Sequence, residues 1–399
     1  MASRPRSGRL GFVPVRFGDD LVGGAEMLVR EMADGLAQRG WAVDVLTGCT
    51  RDHFREPRHY APGTSVRASG VRLHRFPSMV SSHRADRVLG NRAIVSGRPL
   101  TLGDQYRWCN DDVRVPGLFD HLVAHADEYR ALVFAPYLYW TTVAGTQVSP
   151  ERSILIPCLH DEPTARLDLF AREFREPRGV WFLTEPEADL GRRLHPDLAP
   201  HAVIGSGVEP PAAGDPERFR ARFEVRGPFV LYVGRREEGK GTAQLLTDFA
   251  AAAPQVPERV TLILAGPGSV RIPESARALV TDVGELTTRD RDDALAAATA
   301  VIQPSPYESF SRTMMEAWLA GAFVIASRAS AVSTWHCGRA AAGAVYGSPD
   351  ELAVAIRRAL GPGAREDGER GRAYAAREYS WPRVLERVEA WIDEWLPVP

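Results

Sequence analysis

Phe229-Val-Leu-Tyr-Val-Gly-Arg-Arg-Glu-Glu-Gly-Lys240-Gly241 decides how this chain is read. Residues 229–233 are an apolar strand, a glycine-bounded loop follows, and a helical pattern starts beyond it. That is the context of a phosphate loop, because helix-terminal N–H groups and the helix dipole favour an anion. Of the 49 Lys and Arg residues, only Lys240 is a lysine. Arg is a wide planar fork, whereas Lys is a compact charge on a flexible stem. A position that keeps Lys in so Arg-rich a chain points to a small ammonium that touches a phosphate.

Residues 234–241 nearly match the nucleotide loop G-x4-G-K-[ST], but Gly241 stands where Ser or Thr would hold magnesium. Glu237 and Glu238 would also repel a wrapped triphosphate. The same parts suit a diphosphate clamp, with Arg235 at the strand end and Lys240 before the helix.

Strand and helix patterns alternate on both sides of this stretch. Strands are expected at 10–15, 42–46, 71–76, 131–134, 153–157 and 180–183, with helices at 24–39 and 185–194. Residues 50–115 read as irregular, rich in Arg, Pro, Gly and Ser. A Pro- and Gly-dense break at 208–216 precedes a second series, with strands at 229–233, 260–265, 301–303 and 323–326. The expected fold is α/β, with two doubly wound, Rossmann-like domains in tandem and a cleft between them. The boundaries are 1–207, a linker at 208–227, 228–380, and a helix at 381–399 that packs back on the body. In that helix Val384, Leu385, Val388, Ile392 and Leu396 share one face. A membrane-surface role is disfavoured by Glu386, Glu389, Asp393 and Glu394.

A length of 399 residues suits two domains, and 44% hydrophobic with 25% charged residues is the composition of a globular protein. A net charge of −2 gives no general case for binding nucleic acid. No apolar run is long enough for a transmembrane helix, and the N-terminus lacks a signal-peptide core. Cys49, Cys109, Cys158 and Cys337 are scattered, without CxxC, which fits a reducing cytoplasm. A cytoplasmic protein with at most peripheral membrane contact is expected.

Three further patterns can carry chemistry. Glu308 and Glu316 lie eight residues apart across a strand-to-helix turn, with Ser309 and Ser311 as candidate N-caps. Glu308 is placed to accept hydrogen bonds from sugar hydroxyls and Glu316 to accept a ribose diol, while the N–H groups of Phe310 and Ser311 face the same ligand. Gly23 and Gly24, between the first strand and first helix, permit close approach of a phosphate or substrate. His160 follows the strand at 153–157 and is placed to steady a sugar hydroxyl or leaving phosphate. His121 and His125 have no third metal ligand in the sequence. Asp290-Arg-Asp292 reads as an acidic helix start rather than a metal pair. No metal site is expected.

Together these residues resemble glycosyltransferase family 4, the retaining nucleotide-sugar transferases of the GT-B fold. The resemblance spans nearly the whole chain. It is most specific in Val233-Gly-Arg235 with Lys240-Gly241, in Leu264-Ala-Gly-Pro-Gly268, and in Glu308-Ser-Phe-Ser with Glu316-Ala and Gly321. The family's Glu-x7-Glu motif falls on Glu308 and Glu316, its basic pair on Arg235 and Lys240, its glycine pair on Gly23 and Gly24, and its histidine on His160. Ser309 and Ser311 stand where many members have Gly.

The resemblance implies transfer of a hexose-type sugar from a UDP- or GDP-sugar co-substrate to an acceptor hydroxyl, with retention and without a metal. The acceptor would be a glycan, a lipid-linked sugar or a small molecule. The base is expected near Gly266 and Val283-Gly284-Glu-Leu286. A sugar-nucleotide epimerase of the same fold, a P-loop NTPase and a non-enzymatic binding module remain as alternatives. The ten arginines at 51, 55, 58, 67, 72, 75, 84, 87, 92 and 98 read as a solvated insertion before they read as contacts to an anionic acceptor.

Overall fold

The computed structural model describes residues 6–21, 23–52, 58–80 and 84–397, except the side chains of 84–86 and 238. Arg55, the side chains of Arg84 and Glu238, and the first five residues of the basic N-terminus thus lie outside the described residues. The chain divides into two compact units, Met1–Gly207 with Trp381–Pro399, and Val208–Ser380.

The first unit is built on strands β1 (Arg9–Pro14), β2 (Ala42–Gly48), β3 (Gly63–Val66), β4 (Arg72–Phe76), β5 (Tyr129–Ala135), β6 (Ser153–Leu155), β7 (Gly179–Phe182) and β8 (His201–Val203). Their order is β3-β4-β2-β1-β5-β6-β7-β8. Neighbours are parallel, except that β3 runs antiparallel to β4. Strands β1, β2 and β5 are buried almost along their whole length rather than at alternate residues. Such burial means that both sheet faces are covered. Phe134, Phe170, Phe174 and Phe182 anchor the core.

The second unit holds β9 (Phe229–Val233), β10 (Thr261–Ala265), β11 (Val280–Gly284), β12 (Ala300–Gln303), β13 (Phe323–Ser327) and β14 (Ala344–Tyr346), all parallel, in the order β11-β10-β9-β12-β13-β14. From β9 the chain steps outward through β10 and β11, then returns to place β12 on the other side of β9. The strand order therefore reverses between β9 and β12, and ligands of open sheets bind at the carboxyl ends beside such a reversal. In the first unit the reversal lies between β1 and β5.

The region read as irregular is not irregular throughout. It contains β3 and the helices Arg84–Val95 and Leu102–Asn110. Their sequences are polar and carry a weak periodic signal, so tertiary contacts hold them. Thr101 and Asp104 form a capping box, Trp108 packs edge-on to Phe170, and Arg87 pairs with Asp112 at 3.1 Å. Strands β8 and β14 have three residues each and escaped the periodicity reading, and β6 ends at Leu155. The expected linker at 208–227 contains a helix, Pro216–Arg222, tied to the helix Thr288–Ala297 by Arg218 and Asp293. Asp292 and Asp293 also accept the N–H groups of Ala212 and Asp215. The acidic run at 290–293 thus opens a helix, as read, and fastens the 212–218 segment.

Helix Trp381–Trp395 belongs to the first unit. Val384, Leu385, Val388 and Ile392 are buried against it, and Trp381 donates to Glu31 at 3.0 Å. Glu389, also buried, accepts from Arg39 at 2.7 Å and Trp41 Nε1 at 3.0 Å and pairs with Arg6 at 3.2 Å. Glu389→Ala strands the buried indole N–H of Trp41 and unpairs Arg39, while Arg6 keeps Asp393 at 3.5 Å. It should lower the stability of this unit by about 2–3 kcal/mol, read from urea unfolding, with Glu389→Gln intermediate.

Candidate functional site

At the reversal point of the second unit, the loop after β9 meets the loop after β12. Tyr232 Oη donates to the Arg235 carbonyl at 2.6 Å, and burial pushes that phenol's pKa up, so it stays a donor. The loop passes through a 3-10 turn, Glu238–Lys240, into Gly241, which sits at φ +70 and opens the helix Thr242–Ala252. A Cβ on Gly241 would lie 2.6 Å from the Pro304 carbonyl oxygen. The two loops therefore touch backbone to backbone, and only glycine allows it. Across this contact Lys240 Nζ lies 2.9 Å from Glu308 Oε1. A Ser at 241 has no room, which removes the magnesium-holding hydroxyl of the nucleotide loop for a steric reason.

Arg235 is mostly exposed, 3.4 Å from Glu237. The neighbouring Arg236 is the buried one, and it pairs with Asp282 on β11. Gly266 follows β10 at φ +127, and a Cβ there would meet the Gly234 carbonyl at 2.1 Å. Its N–H donates to the Gly284 carbonyl at 2.8 Å. Gly234 and Gly266 thus close-pack at the carboxyl ends of β9 and β10, and Gly284 at the end of β11 is joined to Gly266 by that bond, with Val283 and Leu286 half-buried beside them.

The segment after β12 is held by Gln303, whose amide oxygen accepts from Ser305 N–H at 3.4 Å while its nitrogen donates to Ser311 Oγ at 3.1 Å. Ser311 occupies the N-cap position of the helix Arg312–Leu319 but is left-handed, at φ +65, and makes no side-chain cap bond. The N-cap role read from the sequence is corrected here: the Ser311 hydroxyl serves Gln303 rather than a helix N–H, while the Ser311 carbonyl accepts from Met314 N–H at 3.1 Å. Ser309 and Phe310 are buried. Glu316 is buried too, its Oε1 3.1 Å from Arg312 Nε and its Oε2 3.2 Å from Arg291. Two arginines orient this carboxylate, and each oxygen keeps a lone pair for a further donor.

In the first unit, Gly23 is the N-cap of the helix Gly24–Gln38, and the space beside Gly24 is open. Glu26 lies against Gly23 and pairs with Arg16, so the carboxylate that would oppose an anion is neutralised. Arg30 and Arg75 hold the same loop through carbonyls, Arg30 bonding Gly18 and Arg75 bonding Phe17. His160 is partly exposed, 3.8 Å from Glu162. Its loop is set by the buried Glu187, which accepts from Leu159 N–H at 2.6 Å and Leu183 N–H at 2.5 Å. Burial pushes the Glu187 carboxyl up to about 8 despite those donors.

The arginines of the 50–115 region divide: Arg58, Arg92 and Arg98 are exposed, as read, and others are paired. Arg51 pairs with Asp20, Arg67 with Asp19 and Asp34, Arg72 with Asp44, and Arg87 with Asp112. His121 stacks between His74 and His125 and meets Tyr129 at 3.2 Å. Among the described residues no three His, Cys, Asp or Glu side chains group as a metal site, and no helix is long and apolar enough to cross a membrane. Sequence reasoning missed Arg236, Gln303, Arg291 and Arg312. Gln303 alone left a trace, as a polar residue ending an apolar strand.

Residues 227–361 match the family model described as glycosyl transferases group 1. The chain is 27% identical to a D-inositol 3-phosphate glycosyltransferase of Acidothermus cellulolyticus, over 92% of this chain and 84% of that one. Its structure is similar to sucrose-phosphate synthase from Thermosynechococcus elongatus, at a TM-score of 0.71 and 19% identity over 97% and 98% of the two chains. It is also similar to Anabaena HepE in complex with UDP-glucose, at 0.69 and 16% over 97% and 100%. The fold is GT-B. With the family match over the second unit, the chain is a glycosyltransferase of that type.

Two outcomes test this geometry. Gly241→Ser should destabilise the second unit and produce no magnesium-dependent nucleotide hydrolysis, which a thermal melt and a phosphate-release assay would register. A glutamic acid that keeps its proton when folded, up to about pH 8, but loses it near 4.5 when unfolded makes the protein less stable as pH rises through that window. The melting temperature of Glu187→Gln should therefore fall less than the wild type's between about pH 6 and 8, the titration of the histidines being common to both proteins and cancelling in the difference.

Proposed function

We propose that this chain is a retaining family 4 hexosyltransferase. It moves a sugar from a nucleoside diphosphate sugar, with UDP favoured, to a hydroxyl of a phosphorylated sugar or polyol. The observation that carries the reading is Lys240 paired with Glu308 at 2.9 Å, at the strand-order reversal, beside a helix start that has no side-chain cap bond. Support for UDP comes from the similar Anabaena protein in complex with UDP-glucose. Support for a phosphorylated acceptor comes from the names of the inositol phosphate and sucrose-phosphate enzymes. Arg75 adds to this: it is half-buried at the carboxyl edge of the first sheet and is bonded to the Phe17 and Gly48 carbonyls. No carboxylate pairs with it among the described residues.

In the reaction the bond from the anomeric carbon to the diphosphate oxygen breaks as the acceptor oxygen bonds the same carbon from the same face. The acceptor proton passes to the departing diphosphate. The charge that develops there is the main electrostatic demand, and Lys240 and Arg235 meet it without a metal. Glu308 orients Lys240 and accepts from sugar hydroxyls. Glu316, steadied by Arg291 and Arg312, accepts the ribose diol. Gly266 and residues 283–286 receive the base. Gly23 and Gly24 admit the acceptor, and His160 contacts the transferred sugar.

The test is a transfer assay with UDP- and GDP-sugars, run with and without inositol phosphate and hexose phosphate acceptors. Product formed only with an acceptor, and with the donor's anomeric configuration, is expected. An acceptor-independent isomer of the donor would instead identify an epimerase. Lys240→Ala should lower turnover by about 10²–10³-fold, the usual loss for one charge-stabilising group. Lys240→Arg should lose at least about 10-fold, because its fork engages Glu308 through both nitrogens. Wild-type turnover in Lys240→Arg would refute the role of the lysine.

A further inference from the structure

A buried hydrogen-bonded chain lies directly beneath the Glu308–Ser311 segment. His336 is fully buried in the helix Ala331–Ala340. Its Nε2 is 3.0 Å from the Phe310 carbonyl oxygen and its Nδ1 is 2.9 Å from Tyr374 Oη. Tyr374 Oη is in turn 3.1 Å from Tyr379 Oη. A carbonyl can only accept, so Nε2 carries the proton. Nδ1 then accepts from Tyr374, and Tyr379 donates to Tyr374. Burial pushes the His336 pKa down to about 3, so the ring is neutral at any pH used for assay. Phe310 packs edge-on against His336 and Tyr379.

This bond fixes the peptide that joins Phe310 to Ser311. In a trans peptide the N–H points opposite to the C=O. With the Phe310 carbonyl turned in to His336, the Ser311 N–H points away from that interior, and it has no acceptor among the described residues. Ser311 is also held left-handed, at φ +65, which is unfavourable for a residue with a Cβ. Turning the peptide over would shift φ of Ser311 by roughly 180°, out of the left-handed region, but would leave His336 without its acceptor. The backbone preference of Ser311 and the hydrogen bond of His336 thus pull the peptide in opposite directions.

We infer that His336 is a positioning residue that holds the Phe310–Ser311 peptide with its N–H presented to the diphosphate of the donor. The inference rests on the transferase reading above. His336 touches no substrate and acts through the peptide. A family glycine at position 311 would adopt the left-handed turn without strain. Here a serine stands in that place, and the buried imidazole supplies the restraint.

The test is calorimetric titration of the wild type and variants with UDP and with GDP, beside melting temperature and turnover. His336→Phe keeps the ring shape without the donor. It should weaken nucleoside diphosphate binding about 10-fold or more and lower turnover. His336→Gln, whose amide nitrogen reaches the Nε2 position, should recover most of the affinity. Ser311→Gly in the His336→Phe background should also recover it, because the left-handed turn then no longer opposes the peptide. A residue that merely packs the core would show no such recovery. Wild-type affinity in His336→Phe, or no gain from either Gln or the glycine, would overturn the inference. If His336→Phe does not fold, His336→Asn, which cannot reach Phe310, takes its place under the same criteria. A wild type that binds neither UDP nor GDP would refute the transferase reading itself.

Discussion

The close contact of two loop backbones at Gly241 and Pro304 is the constraint on which the candidate site depends. With a Cβ at 241 only 2.6 Å from the Pro304 oxygen, nothing larger than glycine fits. That contact brings the end of the β9 loop against the β12 loop and sets Lys240 beside Glu308. The strand order makes those two loops neighbours, since β9 and β12 flank the point where the sheet reverses. Charge, loop and topology meet at one place within the second unit.

Much of this was legible in the sequence, and the legible part has a physical pattern. Buried parallel strands are continuous apolar runs, so β9 could be read to the residue and β1, β2, β5 and β10 to within two residues at either end. The loops at their ends were marked by glycines with steric work to do, Gly241 and Gly266 among them. What escaped was held by tertiary contact rather than local preference. The helix Arg84–Val95 is rich in Arg and interrupted by Gly90, and β8 and β14 are too short to show a period. The same reason hid the restraint beneath Ser311: His336 comes from one helix, Tyr374 and Tyr379 from another, Ala364–Tyr379, and they form one chain of hydrogen bonds only when folded.

The arginines illustrate the point in another way. Read along the chain, the arginines between 51 and 98 look like a charged fringe. In the fold, Arg67 closes on Asp19 and Asp34, Arg72 on Asp44, and Arg87 on Asp112. Asp44 is nearly inaccessible; burial alone would raise its pKa, yet His74 and Arg72 hold the carboxyl well below its usual range. A planar fork suits such bidentate, partly buried pairing, which gives Arg a structural reason to be abundant here. Arg75 is different in kind: its fork is bonded to two carbonyls and lies over the Tyr60 ring at 3.9 Å, and among the described residues no carboxylate pairs with it directly.

The same reasoning explains why one cation is not arginine. An ammonium has three donors, and Glu308 uses one of those on Lys240. The others remain for a ligand without breaking the ion pair, so a diphosphate can be bound while Glu308 still holds the lysine in place. A guanidinium at 240 would meet the carboxylate through two parallel bonds and turn its plane to suit that partner. It would gain a stronger pair and lose the shared contact. An otherwise Arg-rich chain thus keeps a lysine where one positive charge has to serve an orienting carboxylate and a transient anion together.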